Sequence, residues 1–124
     1  MRFKTASALL AATAAVATTL GVATPASAGP MTGLYLGEHQ GLGGNVWFFL
    51  GDTPNVRGAE DRASSVRNES GSAWILFEHK NYGGRAYCSP PYSWFNDLHV
   101  SWIGFGDKIS SVKPMADCAG YPSL

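Results

Sequence analysis

One pattern, written twice, constrains this chain more than anything else in it. Glu38-His39-Gln40-Gly41-Leu42-Gly43-Gly44-Asn45-Val46-Trp47 returns 40 residues later as Glu78-His79-Lys80-Asn81-Tyr82-Gly83-Gly84-Arg85-Ala86-Tyr87. Each copy is followed by Asp-x-x-Ser-Ser-Val, first at Asp61 to Val66 and again at Asp107 to Val112. Two blocks repeated in the same order describe two copies of one supersecondary unit. A β-propeller shares this period but needs more than two blades. Two copies of four strands each suit a pair of packed antiparallel sheets instead, because neither half buries its apolar face alone.

Within each copy the strands read directly. Leu34 to Leu36 and Val46 to Leu50 flank Gly43-Gly44, and Trp74 to Phe77 and Arg85 to Cys88 flank Gly83-Gly84. β-branched and aromatic residues fill these runs, and Gly-Gly supplies the positive φ angles of a tight hairpin. Polar or turn-rich stretches, Gly51 to Asn55 and Ser89 to Trp94, separate each hairpin from its Ser-Ser-Val strand. The repeats span about 33–67 and 73–114, with Arg67 to Ser72 as a short linker. Glycine and aromatics are frequent and helix-forming runs are absent after the N-terminal region, so the expected fold class is all-β.

Residues 1–28 read as an address. Arg2 and Lys4 form a basic start, Ala6 to Val22 is uncharged, and Ala26-Ser27-Ala28 is a small-x-small cleavage pattern. A membrane anchor is the alternative, but the Ala/Thr-rich stretch is weakly apolar for a span. No later segment reaches membrane-spanning length. The expectation is a secreted, extracellular single domain over residues 29–124, monomeric and without a membrane span. Without Arg2 and Lys4, seven Lys/Arg face nine Asp/Glu. That balance argues against nucleic acid as a partner, since polyanion binding draws on a basic patch.

Two cysteines, Cys88 and Cys118, follow the signal. In an exported small domain such a pair most often forms one disulfide, here tying the C-terminal tail to a strand of the second repeat. Two unpaired thiols are the alternative.

The second copy resembles the Greek-key motif of the βγ-crystallins. That motif has an aromatic, then Glu, a second aromatic, and a glycine two residues later; here these are Phe77, Glu78, Tyr82 and Gly84. The resemblance implies a βγ-crystallin-like sandwich of two Greek-key motifs. The first copy departs from it, with Gly37 and Leu42 in place of the aromatics, which is expected to loosen that hairpin. Among secreted actinobacterial proteins, the chain looks similar to crystallin-fold metalloprotease inhibitors and to a killer-toxin-like group.

The resemblance also implies calcium. Microbial members bind it through two Asn/Asp positions, two free positions, Ser/Thr and Ser, matched here by Glu60 to Ser65 and Gly106 to Ser111. Calcium takes six to eight oxygens at loose geometry, so one carboxylate, a hydroxyl, carbonyls and water suffice. By resemblance each site spans both copies. It would use the carbonyl of Glu38 or Glu78, that of Arg62 or Lys108, the hydroxyl of Ser64 or Ser110, and the side chain of Asp61 or Asp107. Glu60 and Gly106 at the first polar position lower the expected affinity to roughly 10⁻⁵–10⁻³ M. The alternative is that these serines only close hydrogen bonds at a sheet corner.

Other features carry less. His39 and His79 are equivalent and read as structural. Serines with Asp97 and His99 could be imagined as a triad, but no nucleophile-elbow sequence is present, so no enzyme is expected. In Pro90 to Phe95, Pro91, Tyr92 and Trp94 are candidate partner contacts. The competing expectation is that Trp94, Phe95 and Trp102 fill the second core. A partner would be a secreted protease, met through Gly51 to Asn55 or Ser89 to Trp94, or a cell-surface target.

Overall fold

The computed structural model describes residues 32–124. The signal and cleavage pattern read at residues 1–28 lie outside the described residues. Seven strands follow: β1 (Leu34–His39), β2 (Gly43–Phe49), β3 (Ser65–Asn68), β4 (Ala73–His79), β5 (Gly83–Ser89), β6 (Trp94–Phe95) and β7 (Ser111–Met115). They form two antiparallel sheets, ordered β2-β1-β3-β6 and β5-β4-β7. The all-β sandwich of two repeated units is therefore the observed architecture. Among the described residues no helix is long and apolar enough to cross a membrane.

The repeats are not self-contained four-stranded units. β6 belongs to the second repeat by sequence, yet it pairs with β3 of the first through Val66↔Phe95 and Arg67↔Trp94. In return Thr53 of the first repeat bridges Val112 on β7. Each sheet thus receives its outermost contribution from the other repeat. Periodicity could not show this, because Thr53 sits alone among turn residues.

Both hairpins fold back in the same way, but not at Gly-Gly. The reversal lies three residues earlier, in the 3-10 turn Gln40–Leu42, where Gly41 and Leu42 have φ of 61° and 62°. Asn81 and Tyr82 repeat those angles at 58° and 62°. Gly43 is extended at φ −77°, and only the second glycine of each pair, Gly44 or Gly84, has positive φ. A Cβ on either would overlap the ring of His39 or His79. The glycines are thus seats for the equivalent histidines, in keeping with the structural role expected for that pair.

A register shift follows in each hairpin. Pairing passes from Gly37↔Val46 to His39↔Gly43, and from Phe77↔Ala86 to His79↔Gly83, so Glu38 and Glu78 have no ladder partner. Such bulges leave backbone groups unpaired. The glutamates meet part of that need: Glu38 Oε1 accepts from the Asn45 N–H at 3.2 Å, and Glu78 Oε1 accepts from that of Arg85 at 3.4 Å. The first hairpin keeps this register without its aromatics. Where Phe77 and Tyr82 meet edge to face at 5.5 Å, Leu42 lies directly against Gly37.

The core follows from strand alternation. Leu34, Leu36, Val66, Trp74, Leu76, Leu98, Phe105, Ile109 and Val112 are buried together. Ala73, Ile75, Phe77, Ala86 and Cys88 form a second cluster, with Met115 and Cys118 packed on it. The expected disulfide is present, Cys88–Cys118. The tail it holds runs along β5: the Cys88 N–H donates to the Pro122 carbonyl at 2.7 Å, and the Leu124 N–H donates to the Cys88 carbonyl at 2.9 Å. Contrary to the core expectation, Trp94 and Trp102 are 58% and 75% exposed. Only Phe95 packs on the core.

Asn68 turns the linker into a clasp. It is fully buried, and its Nδ2 faces the carbonyls of Ser72, Ser89 and Pro90 at 2.8–3.0 Å. Its Oδ1 accepts from both the amide and the hydroxyl of Ser70.

Candidate cation-binding hollows

The adjacent serines of each Ser-Ser pair have different work. Ser65 Oγ donates to the His39 carbonyl at 2.7 Å and accepts from the Leu42 N–H at 2.9 Å. Ser111 Oγ does the same with the His79 carbonyl at 2.6 Å and the Tyr82 N–H at 3.0 Å. These second serines close the folded hairpin, which is the corner role foreseen for the pair. The first serines, Ser64 and Ser110, anchor by their backbones to the Gly37 and Phe77 carbonyls at 2.8 and 2.9 Å. Their hydroxyls are left to face two surface hollows.

Each hollow draws on both repeats. One is lined by Glu38, His39, Arg62 and Ser64 of the first repeat, with Asp61, His99 and Asp107. The other is lined by Glu78, His79, Lys80, Lys108 and Ser110 of the second, with Asp107, Glu60 and Asp61. Every residue expected to serve calcium is thus at a hollow, and both Asp61 and Asp107 line each of them. Glu38, Arg62 and Ser64 lie at the first and Glu78, Lys108 and Ser110 at the second, where the Ser110 hydroxyl meets Asp61.

Crossed backbone bonds make this arrangement. The Asp61 N–H donates to the Ile109 carbonyl at 3.0 Å, and the Asp107 N–H donates to the Ala63 carbonyl at 2.8 Å. Both aspartates are left-handed, with φ of 54° and 58°. Few residue types accept that conformation as readily as Asp. The loops therefore clasp each other, and each aspartate is carried to the hollow of the opposite repeat. Ser110 Oγ donates to Asp61 Oδ1 at 3.4 Å.

The hollows differ in their polar surroundings. Beside the first, Arg62 meets Glu38 Oε2 at 2.6 Å and lies 5.3 Å from the Trp47 ring centroid. The Arg62 bond, followed by that from the Asn45 N–H, holds the Glu38 carboxyl below its ordinary range. Beside the second, Lys80 pairs with Glu60 at 3.3 Å. Among the described residues no group of three His, Cys, Asp or Glu side chains converges as a metal cluster. A donor set of hydroxyl, carboxylate and carbonyl oxygens suits a hard cation such as calcium rather than zinc.

His99 was weighed from sequence only as an imagined triad member, and the structure puts it elsewhere. Its Nε2 is 2.9 Å from Ser64 Oγ, but Asp97 Oδ1 accepts from the His99 backbone N–H rather than from the ring. Asp97 Oδ2 is occupied by the Gln40 side-chain amide at 3.0 Å. The acid that would orient a catalytic imidazole is thus engaged with other groups.

Similarity to known proteins agrees with this fold. The Beta/Gamma crystallin family matches the chain over residues 34–115. The chain belongs to the βγ-crystallin family. It is 30% identical to human gamma-crystallin A over 76 residues, covering 61% of this chain and 42% of that protein. It is 36% identical to gamma-crystallin-1 of Xenopus laevis over 62 residues, covering 48% and 33%. The chain thus spans less than half the length of these relatives. Among solved structures, a βγ-crystallin from an archaeon superposes with a TM-score of 0.60 at 25% identity, covering 69% of this chain and all of that one. One from Ciona intestinalis gives 0.59 at 28%, covering 66% and 98%. The doubled Greek key of this βγ-crystallin is accordingly the shared part.

The candidate contact loop lies apart from the hollows. Pro91 and Tyr92 are exposed, Tyr92 by 68%. Trp94 stands with the Arg67 guanidinium 3.6 Å over its ring. The loop is fastened from behind by the Tyr92 N–H to the Ser70 carbonyl at 3.1 Å and by Ser93 Oγ to the Pro90 carbonyl at 2.6 Å. Gly51 to Asn55 is no independent arm, because Thr53 is paired into the second sheet.

Proposed function

We propose that this chain is a secreted, non-enzymatic βγ-crystallin domain that binds calcium in its two crossed hollows and is stabilised by it. The observation that carries this reading is that each hollow joins a serine hydroxyl, Ser64 or Ser110, with two left-handed aspartates, Asp61 and Asp107, drawn one from each repeat. Glu38 and Glu78, left without ladder partners, would add backbone carbonyls, as would Arg62 and Lys108. When bound, calcium would supply a positive centre between loops that otherwise bring like charges together. Water would complete its shell.

Because the ligands come from both repeats, only the folded chain can offer them. Free calcium at about 100 times its dissociation constant adds about 2.7 kcal/mol when the unfolded state does not bind. For a domain of this size that is a rise in Tm on the order of 10 °C. Melting curves in excess chelator and in several millimolar calcium test this, and superimposable curves would refute it.

A second reading concerns the partner. The rigid, exposed Pro91-Tyr92-Ser93-Trp94 segment has the character of a loop that inserts into a protease cleft, and its fastening limits the ordering cost of binding. Inhibition assays against thermolysin-type and serine proteases, comparing Tyr92→Ala and Trp94→Ala with the parent, test it. Loss of inhibition with an unchanged melting curve supports the reading; absence of inhibition by the parent removes it.

A further inference from the structure

The two hollows are built by the same clasp, yet one contains a side chain that the other does not. From Gly84 to Asp107 the second repeat is six residues longer than the corresponding Gly44 to Asp61 stretch of the first. The longer connection carries His99. Its neighbour Leu98 is fully buried, with its N–H on the Ser64 carbonyl and its carbonyl receiving the Phe105 N–H, both at 2.8 Å. The His99 N–H is fixed on Asp97 Oδ1 at 2.9 Å. The backbone therefore delivers the imidazole to one place.

That place is the first hollow. His99 Nε2 lies 2.9 Å from Ser64 Oγ and 3.9 Å from Asp107 Oδ2, a hydroxyl and a carboxylate that both line it. The ring occupies the volume that a Cβ on residue 106 would take, so Gly106 is what admits it. The absence of a side chain at the first polar position thus has two effects. It withholds a ligand, and it lets an imidazole cover the ligands that remain. The second hollow lacks such a cover: its lining includes His79, but that ring is seated over Gly84, and Ser110 Oγ makes only a long bond to Asp61.

We infer that His99 makes the two cation sites unequal. Calcium fills the Glu78, Lys108, Ser110 and Asp61 hollow first, whereas the Glu38, Arg62, Ser64 and Asp107 hollow opens only when the imidazole is displaced. A calcium ion prefers oxygen donors, and in the first hollow it must take Ser64 Oγ from an existing hydrogen bond before using it. This inference rests on the calcium reading above.

Calorimetric titration of the purified protein with calcium chloride separates the two ideas. The parent should show one tighter site and a second at least about tenfold weaker, a gap of about 1.4 kcal/mol. Ser110→Ala should remove the tighter site and leave the weaker one. His99→Ala should bring the weaker site to within a few-fold of the tighter. Gly106→Ala should do the same by another route, since its Cβ evicts the ring while His99 itself is retained. Melting curves in chelator confirm that each variant is folded. Two equal sites in the parent, or a weak site unmoved in both His99→Ala and Gly106→Ala, overturns the inference and leaves the calcium reading standing. Absence of calcium binding by the parent and both variants overturns the calcium reading itself.

Discussion

Thr53 and Val112 exchange a reciprocal pair of backbone hydrogen bonds, the Thr53 N–H to the Val112 carbonyl at 2.8 Å and the Val112 N–H to the Thr53 carbonyl at 3.0 Å. This is the point at which the first repeat completes the sheet of the second. Thr53→Pro removes one donor and leaves a buried carbonyl short of a partner, at a cost of about 1–3 kcal/mol. Thr53→Ala keeps both bonds and loses only a hydroxyl contact to the Gly51 carbonyl. Thermal unfolding should place the proline variant well below the alanine variant. Equal melting points would mean that the bridge contributes nothing.

Asn68 should be the least replaceable polar residue. Its amide donates into three carbonyls, so Asn68→Asp presents an acceptor-only group to acceptors in a buried site. Leaving such groups unsatisfied costs about 1–3 kcal/mol, and more for a charge. Denaturant unfolding should show a large fall in midpoint for Asn68→Asp, exceeding that of Asn68→Ala.

The Cys88–Cys118 bond closes a separation of 30 residues. The chain-entropy account assigns such a loop about 3–4 kcal/mol. Reduction, or Cys88→Ser with Cys118→Ser, should lower Tm by more than 10 °C, on the scale of about 4–8 °C per kcal/mol for a small domain. It should also make the segment beyond Met115 the first site of proteolysis, read by mass spectrometry of early fragments.

Acid should weaken the Glu38–Arg62 contact. The Arg62 bond lowers the folded pKa of Glu38, so the stability it contributes is complete above the unfolded-state value and is lost as pH falls through the folded one. The difference in Tm between the parent and Glu38→Gln should therefore be present at neutral pH and close on acidification below the ordinary glutamate range. A difference independent of pH would exclude this pair as its source.

Much of the fold was legible because its information is local and repeated. The Glu-His and Asp-x-x-Ser-Ser-Val blocks lie next to the strands they shape, so reading them twice was sufficient to find two sheets, their order of elements and the loops that form the hollows. What escaped depends on residues brought together from far apart. The exchanged strands are one and two residues long, too short for any period to register. Gly43-Gly44 looked like the turn because glycine pairs often are; its second glycine instead accommodates a histidine ring. Trp94 and Trp102 looked like core because large aromatics usually are, but Trp94 is held at the surface by Arg67 across a strand pair. His99 acquired meaning only through Gly106 and Ser64, one downstream and the other 35 residues upstream.

The division of labour within each Ser-Ser pair has a consequence for how such a domain can change over time. The Ser65 and Ser111 hydroxyls are obligations of the architecture, whereas those of Ser64 and Ser110 face the hollows. On the proposed calcium reading, a descendant that abandoned the ion could lose the first hydroxyl while remaining bound to keep the second. The two neighbouring letters would then drift at different rates, and their separate histories would tell a chain that still serves a cation from one that has kept only the scaffold.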